Sequence, residues 1–591
     1  MGCNQSTDTT QAPIEAISTT DQKISTGNVK LQVKEPSLSP SISREESYVD
    51  VDEDGNSSVG IRVSQITHSL RSNAAFSRRL VRNNAANQGG VQLLDVYAMD
   101  KGGKVLGKGA TASVRLIYNK KTKKQYALKT IQMSKVLSKR KREAFRREVD
   151  LIRALDHPNI IKIVETFTDA HGDFHLVLPY CTGRELFDYL VSRSPARLPE
   201  SEVWGFAKNM LGAINYLKKN HVVHRDIKLE NYMFTSESEN ASLVLVDFGF
   251  SQSMTAKGKK IRKRAGTLYT MAPEVFNGVG ASYPADVWAV GVVVFVLLFG
   301  QYPFGPGNST RDEMILDIRE NPPVFPDHKA IISEELRDLL MKIFDKNPDK
   351  RITAGQALKH RWLKQVPQAT LAGHGRSSEG TRQQRRRSTS SPEEEDQRTH
   401  DEAATIIHKM DHYRRFSVLK KMALLAIAQS SNAEKISELT DAFAQFDVKQ
   451  DGTITWKELL SVLSKNGIVH NKEEEEEMHS IFNSVDQDHT GYIKYTEFVA
   501  ASMAHRDYAE ETTIFEAFQR LDLDRSGGIT KNNLLVLLKE QLPAEVQDRN
   551  VKDVVNEIFE NNDLDHDGVI NLNEFREVVL KRNPSEMSDE E

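Results

Sequence analysis

His224-Arg225-Asp226-Ile227-Lys228-Leu229-Glu230-Asn231 (HRDIKLEN) sets an acid, a cation two residues on and an amide three further, interleaved with apolar Ile227 and Leu229. Asp247-Phe248-Gly249 follows sixteen residues later, and then Ala272-Pro273-Glu274. Upstream, Leu106-Gly107-Lys108-Gly109-Ala110-Thr111-Ala112-Ser113-Val114 forms a glycine-rich turn between two predicted strands. Its last expected glycine is Ala112, still a small side chain. Fifteen residues after Val114, Tyr126-Ala127-Leu128-Lys129 places a lysine at the end of a strand pattern. A charged helix pattern with Glu148 comes next, followed by His157-Pro158-Asn159-Ile160.

In this order and spacing the blocks resemble the protein kinase family across residues 97–363. The resemblance implies a bilobal α+β fold that transfers the ATP γ-phosphoryl group, a reaction that asks for positioning and charge neutralisation rather than covalent help. It makes Asp226 the acceptor of the substrate hydroxyl proton and sets Lys228 beside the transferred phosphate, the serine/threonine pattern. Lys129 would hold the α/β-phosphates, oriented by an ion pair with Glu148. Asn231 and Asp247 would hold Mg²⁺, as hard oxygen ligands for a hard cation. The nucleotide pocket would be built from Leu106, Gly107, Gly109, Val114, Ala127, Lys129, Leu178 as gatekeeper, Cys181 through its backbone, and Glu185. Thr267 would buttress the catalytic loop, and Arg351 would bridge to Glu274. Glu185 and Glu230 stand where related kinases bind basic residues upstream of the target Ser or Thr, which implies basic-motif protein substrates.

Residues 257–264 (KGKKIRKR) are unusual for an activation segment. Lys263 stands where many kinases carry a phosphothreonine, three residues before the Gly266-Thr267 pair whose numbering fixes the position. No phosphate can form there to pair with Arg225. Control is therefore expected from another part of the chain.

Four loops of the form D-x-[DN]-x-[DN]-G, or close to it, start at Asp447, Asp486, Asp522 and Asp563, each with Gly at position 6 and Ile at position 8. Such a loop binds Ca²⁺ through positions 1, 3, 5, 7 (a backbone carbonyl), 9 and a bidentate glutamate at 12. The fourth satisfies this with Asp563, Asp565, Asp567, Val569 and Glu574. The second offers Asp486, Asp488, Thr490, Tyr492 and Glu497. In the first, Asp447, Asp451 and Glu458 surround Lys449, a donor-only cation in a ligand slot. The third has Asp522, Asp524 and Ser526 but ends in Asn533, one oxygen where two are needed. Affinity should fall from loop four to loop two and then to loops one and three, which could be structural partners with little metal.

Residues 401–430 combine basic groups with helix-spaced Ile406, Met410, Tyr413, Leu419, Met422 and Leu425. A basic amphipathic helix resembles a calmodulin target, here expected to be intramolecular. The order kinase (97–363), Ser/Arg-rich linker (364–400), junction helix (401–430) and all-α four-loop domain (434–580) resembles the calcium-dependent protein kinases of plants and protists. The long linker departs from that family, in which the junction follows the kinase domain closely. The resemblance implies a junction that inhibits the kinase until calcium lets the loop domain recapture it. Two other readings are a catalytically inactive calcium-sensing adaptor, opposed by the intact Lys129, Glu148, Asp226, Asn231 and Asp247, and a kinase served by separate calmodulin. Ser388 and Ser417, each behind arginines, are candidate autophosphorylation sites.

Residues 1–95 are rich in Ser, Thr, Asn and Gln, the composition of a disordered extension. Met1-Gly2-Cys3-Asn4-Gln5-Ser6 matches an N-myristoylation signal, with Cys3 as a palmitoylation candidate, so peripheral membrane attachment in the cytoplasm is expected. Cys3 and Cys181 are the only cysteines, which excludes a disulfide framework and suits a reducing compartment. A net charge of -4 implies no general nucleic-acid affinity, and a monomer is expected.

Overall fold

The computed structural model describes residues 48–49, 82–85, 92–99, 103–108, 112–132, 149, 152–238, 241–248, 251–253, 265–278, 280–305, 309–326, 332–364, 392–431, 436–503, 510–538 and 551–581. All of them fall in the unit Leu38–Glu591. Gly2, Cys3, Gly109, Glu148, Gly249, residues 254–264 and Ser388 lie outside these ranges. Within the first 95 residues the described pieces are short: Tyr48–Val49, Arg82–Ala85 and Leu93–Val96.

The smaller kinase lobe is a seven-stranded sheet. Its order runs Arg82–Ala85, Glu165–Thr168, Phe174–Pro179, Gln125–Ile131 and Ala112–Asn119; both Tyr97–Ala98 and Val105–Lys108 pair with that last strand. Every pairing is antiparallel except Arg82–Ala85 on Glu165–Thr168. Alternation along Gln125–Ile131 buries Tyr126 and Leu128 on one face, so Ala127 and Lys129 turn to the other.

The larger lobe is helical and centred on Tyr283–Phe299, apolar on every side, as a helix enclosed in a core must be. Trp288 is fully buried in it and stacks on Phe304 at 5.2 Å. The helix ends at Gly300 in the left-handed conformation. No described helix is long and apolar enough to cross a membrane.

The four loops form two pairs. Thr453–Thr455 of loop one lies antiparallel to Tyr492–Lys494 of loop two, and Ile529–Thr530 of loop three to Val569–Ile570 of loop four. Ile454 and Ile493, and likewise Ile529 and Ile570, sit opposite each other and are buried, which is why each loop carries Ile at position 8.

The junction differs from the single 401–430 helix read in the sequence. One helix begins earlier, at Pro392, inside the expected linker, and runs to Arg414; a second spans Val418–Ser430. The break falls where the Ser417 hydroxyl accepts the Lys420 N–H and caps the second helix, an arrangement that requires extended backbone at Ser417. Ala403, Ile406, Met410, Tyr413, Leu419, Met422 and Leu425 are buried in one core with the loop domain. The kinase lobes have cores of their own.

Gly291 lies inside the buried helix, where alanine ordinarily favours helix by about 0.5–1 kcal/mol. A Cβ there would come within 2.3 Å of Ile343 Cγ2. Gly291→Ala should therefore destabilise the kinase lobe by about 1–3 kcal/mol, read as a lowered unfolding midpoint; an unchanged or raised midpoint would show that Ile343 yields freely.

Candidate active site and calcium loops

The sheet register assembles the nucleotide face. Gly107 sits opposite Val114, Val114 opposite Lys129, and Ala127 opposite Leu178. Leu106 is half-buried beside them. Leu178 and Cys181 are buried where the sheet hands over to the helical lobe, and burial pushes the Cys181 thiol up to about 11. Its side chain is thus an inert neutral group, consistent with a role through its backbone. Glu185 precedes the Leu186–Val191 helix and forms a β-bridge with Met233. Behind Lys129 lies an apolar pocket lined by Ile131, Leu176, Leu178, Val246 and Phe248.

Lys129 pairs with the carboxylate of Asp247, so sheet and Asp247-Phe248 loop meet through this ion pair. Asp226 is buried within a tight network. The Thr267 hydroxyl donates to its Oδ1 at 3.0 Å, the Asn231 amide to its Oδ2 at 3.0 Å, and Lys228 Nζ stands 3.4 Å from Oδ2. Asn231 also donates to the Asp226 carbonyl at 2.6 Å, and Lys228 to the Thr267 hydroxyl at 3.3 Å. These bonds fix the carboxylate's orientation. Gly266, at φ 112°, is needed here: a Cβ would meet the Arg225 carbonyl at 2.3 Å. Arg351 bridges Glu274 bidentately at 2.7 and 2.8 Å with both side chains buried.

One residue holding this loop escaped the sequence reading. Asp286, buried at the head of the core helix, accepts the backbone N–H groups of His224 at 2.7 Å and Arg225 at 2.8 Å. Burial pushes its carboxyl up to about 6, with the two N–H bonds opposing. The available signal was a lone acid at the start of an otherwise apolar run.

ATP and Mg²⁺ fit this donor set. A cation at Lys129, two hard oxygen groups at Asp247 and Asn231 and a carboxylate at Asp226 lie within one hydrogen-bonded and ion-paired set.

In the calcium loops the position-12 side chain has a second task. One of its oxygens accepts the backbone N–H of position 9: Glu458 from Thr455 at 3.1 Å, Glu497 from Lys494 at 2.9 Å, Asn533 from Thr530 at 2.9 Å and Glu574 from Asn571 at 2.9 Å. This is the capping box that starts each exiting helix. A glutamate keeps a second oxygen for a metal; Asn533 has none left, and its amide also bonds the Asp524 carboxylate. Among the described residues, carboxylates gather into metal-sized groups only at Asp486, Asp488 and Glu497, and at Asp563, Asp565 and Asp567. Both groups fit Ca²⁺. Lys494, at position 9 of loop two, pairs with Asp488 and must release it for a metal to bind.

Residues 101–363 match the protein kinase domain family, and residues 436–503 and 511–580 the EF-hand domain pair. The molecule is a protein kinase covalently joined to four EF-hands. It is 32% identical over 465 residues to calcium-dependent protein kinase 21 of Arabidopsis thaliana, covering 77% of this chain and 78% of that protein. Against calcium-dependent protein kinase 2 of Zea mays it is 32% identical over 478 residues, 79% of this chain and 84% of that one. Calcium-dependent protein kinase 5 of Plasmodium falciparum is 29% identical over 485 residues, 82% of this chain and 78% of that one. The chain belongs to the calcium-dependent protein kinase family, and its activity is calcium-activated serine/threonine phosphorylation with ATP and Mg²⁺.

Asp286→Asn leaves one acceptor oxygen for two N–H groups. Leaving one buried donor unsatisfied costs about 1–3 kcal/mol, so kcat should fall roughly five- to 150-fold with KM for ATP little changed; a wild-type kcat would dismiss the anchoring role. Asn533→Glu restores the second oxygen in loop three. Equilibrium dialysis should then count one further bound calcium, and half-maximal activity should move to lower calcium.

Proposed function

We propose that the junction inhibits this kinase and that calcium relieves the inhibition by burying both junction helices in the EF-hand domain. The supporting observation is that Ile406, Met410, Tyr413, Met422 and Leu425 share one core with the EF-hand pairs. Helices buried this way cannot also occupy a substrate cleft. Loops two and four carry the calcium response, since their carboxylates are the ones gathered to metal size. A 99:1 switch in both directions needs about 5.5 kcal/mol of differential binding, within reach of two good sites.

In the chemical step, Asp226 takes the proton of the attacking Ser or Thr hydroxyl. Thr267 and Asn231 hold its carboxylate in place. Lys228 neutralises charge on the transferring phosphate, and Lys129 binds the nucleotide phosphates. Mg²⁺, when bound by Asp247 and Asn231, neutralises phosphate charge. Glu185 and Glu230 select substrates with basic residues upstream of the target. Leu106, Gly107, Gly109, Val114, Ala127, Leu178 and Cys181 enclose the nucleotide. Orientation of Lys129 by Glu148 would complete this set.

The protein acts as a monomer, held on the cytoplasmic face of a membrane through acylation of Gly2 and Cys3. One myristoyl chain alone gives only marginal binding, so the second acyl group is needed for stable attachment. Ser417 is exposed at a helix N-terminus, a favourable position for a phosphate, and remains a candidate autophosphorylation site.

Calcium chelation should reduce peptide phosphorylation about a hundredfold or more, and Asp226→Asn should abolish it at any calcium level. A chelated enzyme with full activity would refute the switch. In cell fractionation, Gly2→Ala protein should leave the membrane pellet; unchanged partitioning would refute the anchor.

A further inference from the structure

Loop one has the wrong residues for calcium and the right ones for something else. At position 3, Lys449 turns onto the position-12 carboxylate: its backbone N–H donates to Glu458 Oε1 at 3.0 Å and its Nζ lies 3.3 Å from Oε2. Glu458 Oε2 further accepts the Thr455 N–H at 3.1 Å and hydroxyl at 2.5 Å. Asp447 accepts the N–H groups of Asp451 at 3.1 Å and Gly452 at 2.7 Å.

The remaining ligand carboxylate, Asp451, is taken by the kinase. Lys219, at the end of the Glu200–Lys219 helix, places Nζ 3.0 Å from Asp451 Oδ1 and 2.5 Å from the Thr453 hydroxyl at position 7. The Asn215 amide, one turn earlier, donates to the backbone carbonyls of Gln450 at 3.1 Å and Lys449 at 3.4 Å. Gly452 lies against the Tyr216 ring between them. A Cβ at Gly452 would meet Tyr216 at 2.4 Å and His157 at 2.8 Å. Lys219 also lies over the Tyr492 ring of loop two, 4.8 Å from its centroid.

We propose that loop one is a docking plug for the kinase lobe rather than a calcium site. Two ammonium groups, Lys449 from the loop and Lys219 from the kinase helix, bring the same formal charge of +2 that a calcium ion would bring to its three carboxylates. The kinase supplies half of that charge and two backbone-recognising bonds from Asn215. The loop keeps the EF-hand backbone shape because loop two needs its strand partner, while its ligand side chains now recognise a helix surface. Loss of loop-one calcium is thereby coupled to gain of an interdomain contact. The proposal rests on the assembled loop geometry and not on the inhibitory role assigned to the junction.

The test uses the full chain. In equilibrium dialysis with radioactive calcium, Glu497→Gln should lose one bound ion relative to wild type, and Glu458→Gln should lose none. Loss of one ion in Glu458→Gln would overturn the proposal. By hydrogen exchange at saturating calcium, Lys219→Glu should speed exchange of amides 447–458 about tenfold or more, and Lys219→Glu combined with Asp451→Lys should restore protection. Unchanged exchange in the single variant, or no restoration in the charge-swapped one, would equally overturn it. Lys219 is outside the nucleotide and catalytic groups, so a fall in basal catalysis is not part of the expected result.

Discussion

The carboxylate of Asp156 is where the two halves of this protein are held together. It is fully buried, yet it is shared: Lys162 of the kinase lies 3.0 Å from Oδ1, while Thr496 of the second EF-hand gives its N–H to Oδ2 at 3.0 Å and its hydroxyl to Oδ1 at 2.6 Å. The Lys162 ammonium also donates to the Thr496 hydroxyl at 2.7 Å. Burial alone would push the Asp156 carboxyl up, but Lys162 and the two Thr496 bonds outweigh it and hold the group below the ordinary carboxylate range. Thr496 stands next to Glu497, the position-12 residue of loop two. A change at that carboxylate is thus one residue from the domain contact.

The contact between the kinase and the EF-hand domain is polar. The kinase lobes and the EF-hand domain each close their own apolar core. Between them run Lys124 and Tyr126 onto Glu516, at 2.9 and 3.1 Å, and an ion pair from Arg525 of loop three to Glu165. Hydrogen-bonded and charged groups can be rehydrated when the surfaces part, whereas a merged hydrophobic core would tie separation to unfolding.

The position-12 side chain ties calcium binding to helix geometry. Its first oxygen caps the exiting helix in all four loops, and the second is the one a metal can use. Asn533 preserves the cap, hence the fold of loop three and its strand pairing with loop four, while removing the bidentate ligand. Glu458 preserves the cap too, and the Lys449 ammonium lies 3.3 Å from its capping Oε2. The two degenerate loops thus remain folded for the same reason and differ in what replaces the metal.

Much of this was legible in the chain. HRDIKLEN, Asp247-Phe248 and the Ala272-Pro273-Glu274 block determined the kinase site because each chemical group lies within a short local motif, and the loop spacing determined the EF-hand pairs because each loop is a self-contained turn. The junction was legible as amphipathic but not as two helices, since Ser417 reads equally well inside or at the start of a helix. Asp286, Asp156, Lys219 and Glu516 look like ordinary charged residues in the sequence. Apart from Lys162, six residues from Asp156, their partners lie from sixty to several hundred residues away, and only folding brings a buried N–H or a lysine to them. Local chemistry is written in neighbouring residues; which charges become buried, shared and structural is decided by packing, because desolvation is a property of the assembled surface and not of any single segment.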